Sequence, residues 1–294
     1  MADQTLYRLV RTYPNFDLNR RASVFHIPFE SRHFASAVRY SVKGQPSLYL
    51  GNSLYLCWLE CDNPSNLSDW YAARFDLDFE RLKILDLSAS TELLKFIFET
   101  SVIIPATGKD IDPGKVTNSP TGENWLEYLA ASLTIWPLVA ACSISAVHST
   151  DAVKPEYVIP QLTMKWVQQR HDIGGIRFFS TREQAIRSTQ DISINYALPA
   201  KGTEKSEGYD DFLVEVARCT YPISIAEFRD RELTPPNEAE YETAEKNWHR
   251  LTVPAEHGGY RYFGTWYCNL EYKLDRQETG RVETDTARGA TVIA

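Results

Sequence analysis

Apolar residues along this chain fall in short runs broken by turn-forming residues, and no single period runs for long. Residues 5–11 (TLYRLVR) read as a first strand, and 46–51 (PSLYLG) as a second, entered from Gly44 and left through Gly51-Asn52-Ser53. Ser53 is suited to cap a short helix over 54–61, because its hydroxyl can accept from an otherwise orphaned helical N–H. Between these, 15–32 is irregular around His26-Ile27-Pro28-Phe29. A strand is expected at 82–87 (LKILDL), a helix at 91–100, and a loop rich in Pro, Gly and Asp at 103–121. The pattern predicts a helix at 157–170, with Pro160 in its first turn or kinking it. Strands follow at 173–180 (IGGIRFFS), after a Gly-Gly turn, and at 192–198. A polar stretch after Pro199 reads as a loop or linker, and 209–272 holds further short elements. Short strands mixed with short helices, without βαβ alternation, predict an α+β fold.

One segment interrupts this picture. Residues 128–147 (YLAASLTIWPLVAACSISAV) carry no charge and have about the length of a membrane span. They also hold Pro137 and several Ser/Thr, and no Lys/Arg cluster flanks them, so a buried helix pair or a helix with a loop is expected and no membrane association. Trp136 and Trp166 read as core.

Composition narrows the classes. The 294 residues suffice for one large domain or two small ones, and the net charge of −8 argues against a nucleic-acid partner. The N-terminus lacks a signal peptide, and five irregularly spaced cysteines suit a reducing compartment, so a cytoplasmic location is expected. Cys57 and Cys61 sit four apart, which serves equally for half a metal site or for two small residues on a helix face; the scattered histidines give a metal site little support.

The common motifs for phosphate loops, dinucleotide folds, zinc proteases and serine hydrolases are absent. What remains is a cluster in the first quarter: Tyr7-Arg8, Arg39-Tyr40-Ser41, Tyr49 on the second strand and Glu60 on the following helix. A strand, a turn and two helical turns let Tyr49 and Glu60 face a common cleft. Each has an ordinary reading too: Tyr49 as core, Glu60 as a solvated helix charge, Arg8 and Arg39 as ion-pair partners. His26 and His33 are acid–base candidates or structural loop residues.

In order and spacing this cluster resembles the RES-domain family. The family's Tyr-Arg, its second Arg upstream of Gly and Pro, its Tyr-Leu-(Ala/Gly)-x-Ser turn and its helical Glu are matched by LYR at 6–8, RYSVKGQP at 39–46, YLGNS at 49–53 and CWLE at 57–60. LKILDLS and the stretch 159–180 (IPQLTMKWVQQRHDIGGIRFFS) resemble later family elements. The resemblance is close over residues 5–62, looser to about 200, and silent on the C-terminal third.

What the resemblance implies is an ADP-ribosyltransferase-like core of short strands with peripheral helices over 1–200. Beyond it, an extension over 201–275 is expected to pack on or beside this core, and 276–294, with almost no apolar content until its end, is expected to be a disordered tail. The implied substrate is NAD⁺, degraded by phosphorolysis or hydrolysis with no cofactor and phosphate as a co-substrate in the first case. The implied setting is a bacterial toxin held by a protein antitoxin; a homodimer is allowed. The side chains suit those roles. Guanidinium groups such as Arg8 and Arg39 grip phosphates bidentately, Tyr49 offers a ring for nicotinamide, and Glu60 can stabilise the cationic ribose that forms as the bond breaks. Tyr40 and Ser41 flank the second Arg. For the family's Ser, this chain offers Gln161 or Ser180. Two rival readings are transfer of ADP-ribose to a macromolecule, with the aromatic segment 258–267 (GGYRYFGTWY) as a target surface, and a non-catalytic interaction protein.

Overall fold

The computed structural model describes residues 5–13, 16–88, 125–146, 154–182, 193–202, 204–229, 252–255, 258–262 and 265–284. The helix expected at 91–100 and the loop at 103–121 lie outside them. Strands β1 (Leu6–Arg11), β2 (Ser47–Gly51), β3 (Trp70–Leu77), β4 (Ile84–Asp86), β5 (Gly175–Phe179), β6 (Ile194–Pro199), β7 (Ala217–Cys219) and β8 (Ile223–Ser224) form one mixed sheet in the order β4-β5-β6-β2-β1-β3-β7, with β8 also on β3. β4 and β5 run parallel, and the other pairings are antiparallel. A separate hairpin joins β9 (Thr252–Ala255) to β10 (Gly258–Arg261). Helices are α1 (Leu54–Glu60), α2 (Trp125–Cys142), α3 (Val158–Gln169), α4 (Asp211–Val216), α5 (Ala226–Arg229) and α6 (Trp266–Asp275). The α+β expectation holds.

The sheet has a seam. β1 lies against β3 from Leu6–Phe75 to Arg11–Trp70, but it meets β2 at the single register pair Tyr7–Gly51. Because side chains alternate across a strand, that register assigns every residue to a face. Tyr7, Leu9, Tyr49, Ala197, Ile176 and Phe178 share one face, covered by α1 and α6 on the β1 side of the seam and by α2 and α3 on the β2 side. Leu6, Leu48, Leu50, Phe75, Tyr196 and Leu198 line the other, under Val24, Phe25, Leu213 and Val216. Gly51 is required at the seam, since a Cβ there would meet the Cys57 sulfur at 2.8 Å.

Several local expectations hold. Ser53 caps α1, its hydroxyl accepting from the Leu56 N–H at 3.1 Å. Pro160 falls in the first turn of α3, where its missing N–H costs no helical bond. The uncharged stretch 128–147 lies largely in α2, followed by irregular chain. Its expected burial is not observed: of the described α2 side chains only Val139 and Cys142 are buried, because the Ala/Ser-rich sequence has no strongly apolar face to turn inward. Trp136 is only partly buried, and Trp166 is 47% exposed with Arg170 over its ring. Among the described residues no helix is long and apolar enough to cross a membrane.

Strand β3 was not evident from the sequence, although its ladder with β1 is the longest in the sheet. Residues 276–284, expected to belong to a disordered tail, are described and ordered. Residues up to 284 are held on the sheet: Gly280 pairs with Cys219, the Thr279 hydroxyl donates to Asp76 at 2.6 Å, and Val282 is buried. These anchors were invisible in a segment of low apolar content, because most of them are polar.

Candidate functional site

Helix α1 is seven residues long and ends at Glu60. Its last turn opens into Asp62 and Asn63, both with left-handed backbone (φ 62° and 52°), a conformation that Asp and Asn tolerate best among non-glycine residues. The Glu60 carboxylate reaches back over the end of the β5–β6 ladder. There Oε1 accepts from the Ser180 hydroxyl at 2.6 Å and from the Asn195 amide at 2.7 Å, while Oε2 lies 3.5 Å from Arg182 Nε. Ser180 follows β5 and is fixed by its own N–H on the Ser193 carbonyl (2.9 Å) and by accepting from the Arg182 N–H (3.2 Å). Asn195 stands on β6 opposite Phe178, on the α2–α3 face of the sheet. Ser180 and Asn195 are buried, whereas the Glu60 side chain keeps 34% of its surface open.

A carboxylate at the C-terminal end of a helix faces the negative end of the helix dipole. The donors of Ser180, Asn195 and Arg182 offset that. The arrangement leaves one carboxylate oxygen held by two neutral donors and the other beside the partly exposed Arg182 guanidinium.

Tyr49 projects from β2 on the same face as Asn195, opposite Ala197. Its hydroxyl shares a hydrogen bond with Ser41 (3.1 Å), which donates to Ser47 (2.8 Å). Burial, aided by the nearby Glu60 charge, pushes the Tyr49 hydroxyl well above its ordinary value, so the ring stays neutral. Arg39 arrives from the other side. Its Nη1 donates to the carbonyls of Cys142 (3.2 Å) and Ile144 (2.8 Å), its Nη2 to the Thr181 hydroxyl (2.7 Å), and its guanidinium lies 4.9 Å from the centre of the Tyr157 ring. Thr181 adjoins Ser180, so Arg39 and Glu60 hold neighbouring residues of one segment.

The remaining sequence candidates are distributed differently. Gln161 donates to the carbonyls of Val38 (3.0 Å) and Ser41 (3.4 Å), tying down the turn that carries Arg39. Of Gln161 and Ser180, it is Ser180 that reaches Glu60. Tyr40 is fully buried against Phe178, with ring centres 4.4 Å apart and its hydroxyl beside the Cys142 thiol. Arg8 sits on the opposite sheet face from Tyr49, beside Ala73, and its Nη1 donates to the carbonyls of Val24 (2.9 Å) and Phe25 (2.6 Å). Burial pulls its guanidinium down to about 10, and its charge acts on the Cys61 thiol next to Glu60. Arg8 thus flanks the seam without touching the Glu60 cluster.

His26 is a fold residue: its Nδ1 faces the Ile27 carbonyl at 2.8 Å and its Nε2 accepts from the Asp210 N–H at 3.1 Å. The five cysteines are free thiols, with Cys57 donating to the Tyr7 carbonyl, and among the described residues no cluster is arranged to hold a metal.

Asn195, Arg182 and Thr181 did not emerge from the sequence. Asn195 alone left a signal there, as an amide inside the apolar run INYALP, where a buried polar group needs a partner.

The chain is therefore an α+β protein with a carboxylate-centred site beside the seam of its sheet. No protein-family model matches it. It is 32% identical over 229 residues to a protein of Bacillus subtilis (strain 168) named "Putative toxin YopC"; the match takes in 75% of this chain and 47% of that protein. The chain spans about half the length of the curated relative it matches.

Proposed function

We propose that this chain is a bacterial toxin of the RES type, with an ADP-ribosyltransferase-like core, that breaks the nicotinamide–ribose bond of NAD⁺. The observation that carries this reading is the Glu60 carboxylate, pinned by Ser180 and Asn195 at 2.6 and 2.7 Å with Tyr49 on the same sheet face. The relative named as a toxin supports the biological role.

In this reading nicotinamide lies against the Tyr49 ring, and the attached ribose meets Glu60 Oε2, the oxygen not held by Ser180 and Asn195. As the C–N bond lengthens, positive charge grows at the anomeric carbon. A fixed carboxylate stabilises that charge without reorganising, the usual origin of electrostatic catalysis. Nicotinamide departs as a neutral molecule, taking the bond's electron pair onto its ring nitrogen, so no general acid is required. Water then gives ADP-ribose and a proton, or phosphate gives ADP-ribose-1″-phosphate. Arg39, by holding Thr181 beside Ser180, keeps the segment that orients Glu60. A protein antitoxin would restrain the activity in the cell.

The test is nicotinamide release from NAD⁺ by the purified chain, with and without phosphate, beside Glu60→Gln. Release that is lost in the variant supports the reading, and phosphate dependence distinguishes phosphorolysis from hydrolysis. Label appearing on a macromolecule would redirect the reading to ADP-ribose transfer. No NAD⁺ consumption under any condition would overturn it.

A further inference from the structure

Three guanidinium groups stand among the candidate residues, and they differ in what holds them. Arg8 is partly buried on two backbone carbonyls. Arg39 is held by two carbonyls and a hydroxyl, over an aromatic ring. Among the described residues, Arg182 is the one of the three paired with carboxylates. Its Nη1 donates to Asp62 at 2.6 Å, its Nη2 to the Glu60 carbonyl at 3.3 Å, and its Nε lies 3.5 Å from Glu60 Oε2. The Asp62 side chain is 78% exposed and Arg182 is 38% exposed. An exposed ion pair of this kind contributes little to stability and is readily exchanged. Backbone carbonyls cannot leave in the same way.

We infer that Arg182 is the residue that binds the substrate's phosphate, and that Asp62 is the ligand that holds it when the site is empty. The inference rests on the reading that Glu60 meets the nicotinamide ribose. The first phosphate of NAD⁺ is bonded to the 5′ oxygen of that same ribose. A guanidinium beside Glu60 is therefore within one sugar's reach of it. On binding, a phosphate replaces Asp62 as the partner of the Arg182 fork, a geometry that suits phosphate at least as well as a carboxylate. The left-handed turn at Asp62-Asn63 serves to present Asp62 to Arg182 across the site. The same exchange draws the cation from Glu60 Oε2 toward the phosphate and leaves that oxygen for the ribose.

The experiment is calorimetric titration of the full chain with ADP-ribose and, separately, with nicotinamide, for wild type, Arg182→Gln, Arg182→Lys and Asp62→Asn, together with KM and kcat for NAD⁺. Arg182→Gln is expected to weaken ADP-ribose binding by about tenfold or more, with Arg182→Lys recovering part of the loss. Asp62→Asn is expected to tighten ADP-ribose binding several-fold, because it removes the competitor. Nicotinamide binding should not respond to any of them. A purely structural role for the pair predicts lower melting temperatures and unchanged affinity in all three variants. Unchanged ADP-ribose affinity in Arg182→Gln, in a wild type that consumes NAD⁺, would overturn this inference and leave the NAD⁺ reading standing. A wild type that binds neither NAD⁺ nor ADP-ribose would overturn both.

Discussion

Two carboxylates stand at the two ends of helix α1, and they are held in opposite ways. Glu271, from α6, is fully buried at the N-terminal end, where its Oε1 accepts from the Leu54 N–H at 2.6 Å and from the Tyr262 hydroxyl at 2.5 Å. An orphan N–H and the positive end of the helix dipole make that position favourable for a negative charge. Glu60 sits at the other end, against the dipole and partly open to solvent, and depends on Ser180, Asn195 and Arg182. Glu271 therefore stabilises the fold, while Glu60 is a charge placed where local helix physics resists it. A carboxylate held by dedicated donors, with one oxygen tied only by an exchangeable ion pair, is what stabilising a developing positive charge requires.

The largest expected effect lies at Glu60. Glu60→Gln should lower turnover of NAD⁺ by about 10³-fold, or ~4 kcal/mol of barrier, while thermal stability changes by less than about 1 kcal/mol. Kinetics and a denaturation curve on the same sample check this. Large destabilisation with retained turnover would collapse the contrast with Glu271.

The converse substitution, Glu271→Leu, leaves two buried donors without that acceptor and should cost about 3 kcal/mol of stability. Turnover per folded molecule should stay near wild type. Chemical denaturation combined with active-site titration separates the two quantities.

A second buried group sharpens the distinction between charges held for the fold and for function. Burial pulls His26 down to about 4, against an ordinary value near 6.5. Between those values the unfolded chain binds the proton and the folded chain does not, so stability is full above about 6.5 and falls as the pH drops toward about 4. That window holds about 3 kcal/mol. Melting temperature followed across it should fall, and His26→Gln should flatten that part of the profile.

A smaller effect is expected at Asn195. Asn195→Ala frees Glu60 Oε1 from one donor and should reduce kcat about tenfold, ~1.4 kcal/mol, with KM nearly unchanged. A rise confined to KM would make Asn195 a binding residue instead. The smallest is the α1 cap. Ser53→Ala should cost about 1 kcal/mol of stability, with turnover lowered only through the folded fraction.

Much of this molecule is legible in the sequence because its elements are locally specified. Ser53 caps the helix it precedes, Pro160 falls in a first turn, and the runs at Leu6–Arg11, Ser47–Gly51, Gly175–Phe179 and Ile194–Pro199 are strands. Tyr49 and Glu60, separated by one turn and one helix, are brought near each other by that local geometry. Strand β3 was missed because Arg and Asp interrupt its apolar pattern, yet its partners on β1 fix it firmly. Trp166 was misplaced because an aromatic on an amphipathic helix reads as core until the packing face is known.

Sequence by itself determined several of the short elements, the Ser53 cap, and the order of Arg39, Tyr49 and Glu60. Only the tertiary structure decided which face each side chain takes and which distant donors meet Glu60. Strand alternation puts Arg8 and Tyr7 on opposite sides of the sheet, and the Tyr7–Gly51 register decides that Tyr7, not Arg8, takes the side of Tyr49. Ser180 and Asn195 lie 120 and 135 positions from Glu60 in sequence. A contact across that separation is set by strand pairing and by closing a long loop, not by any local preference of the residues that make it.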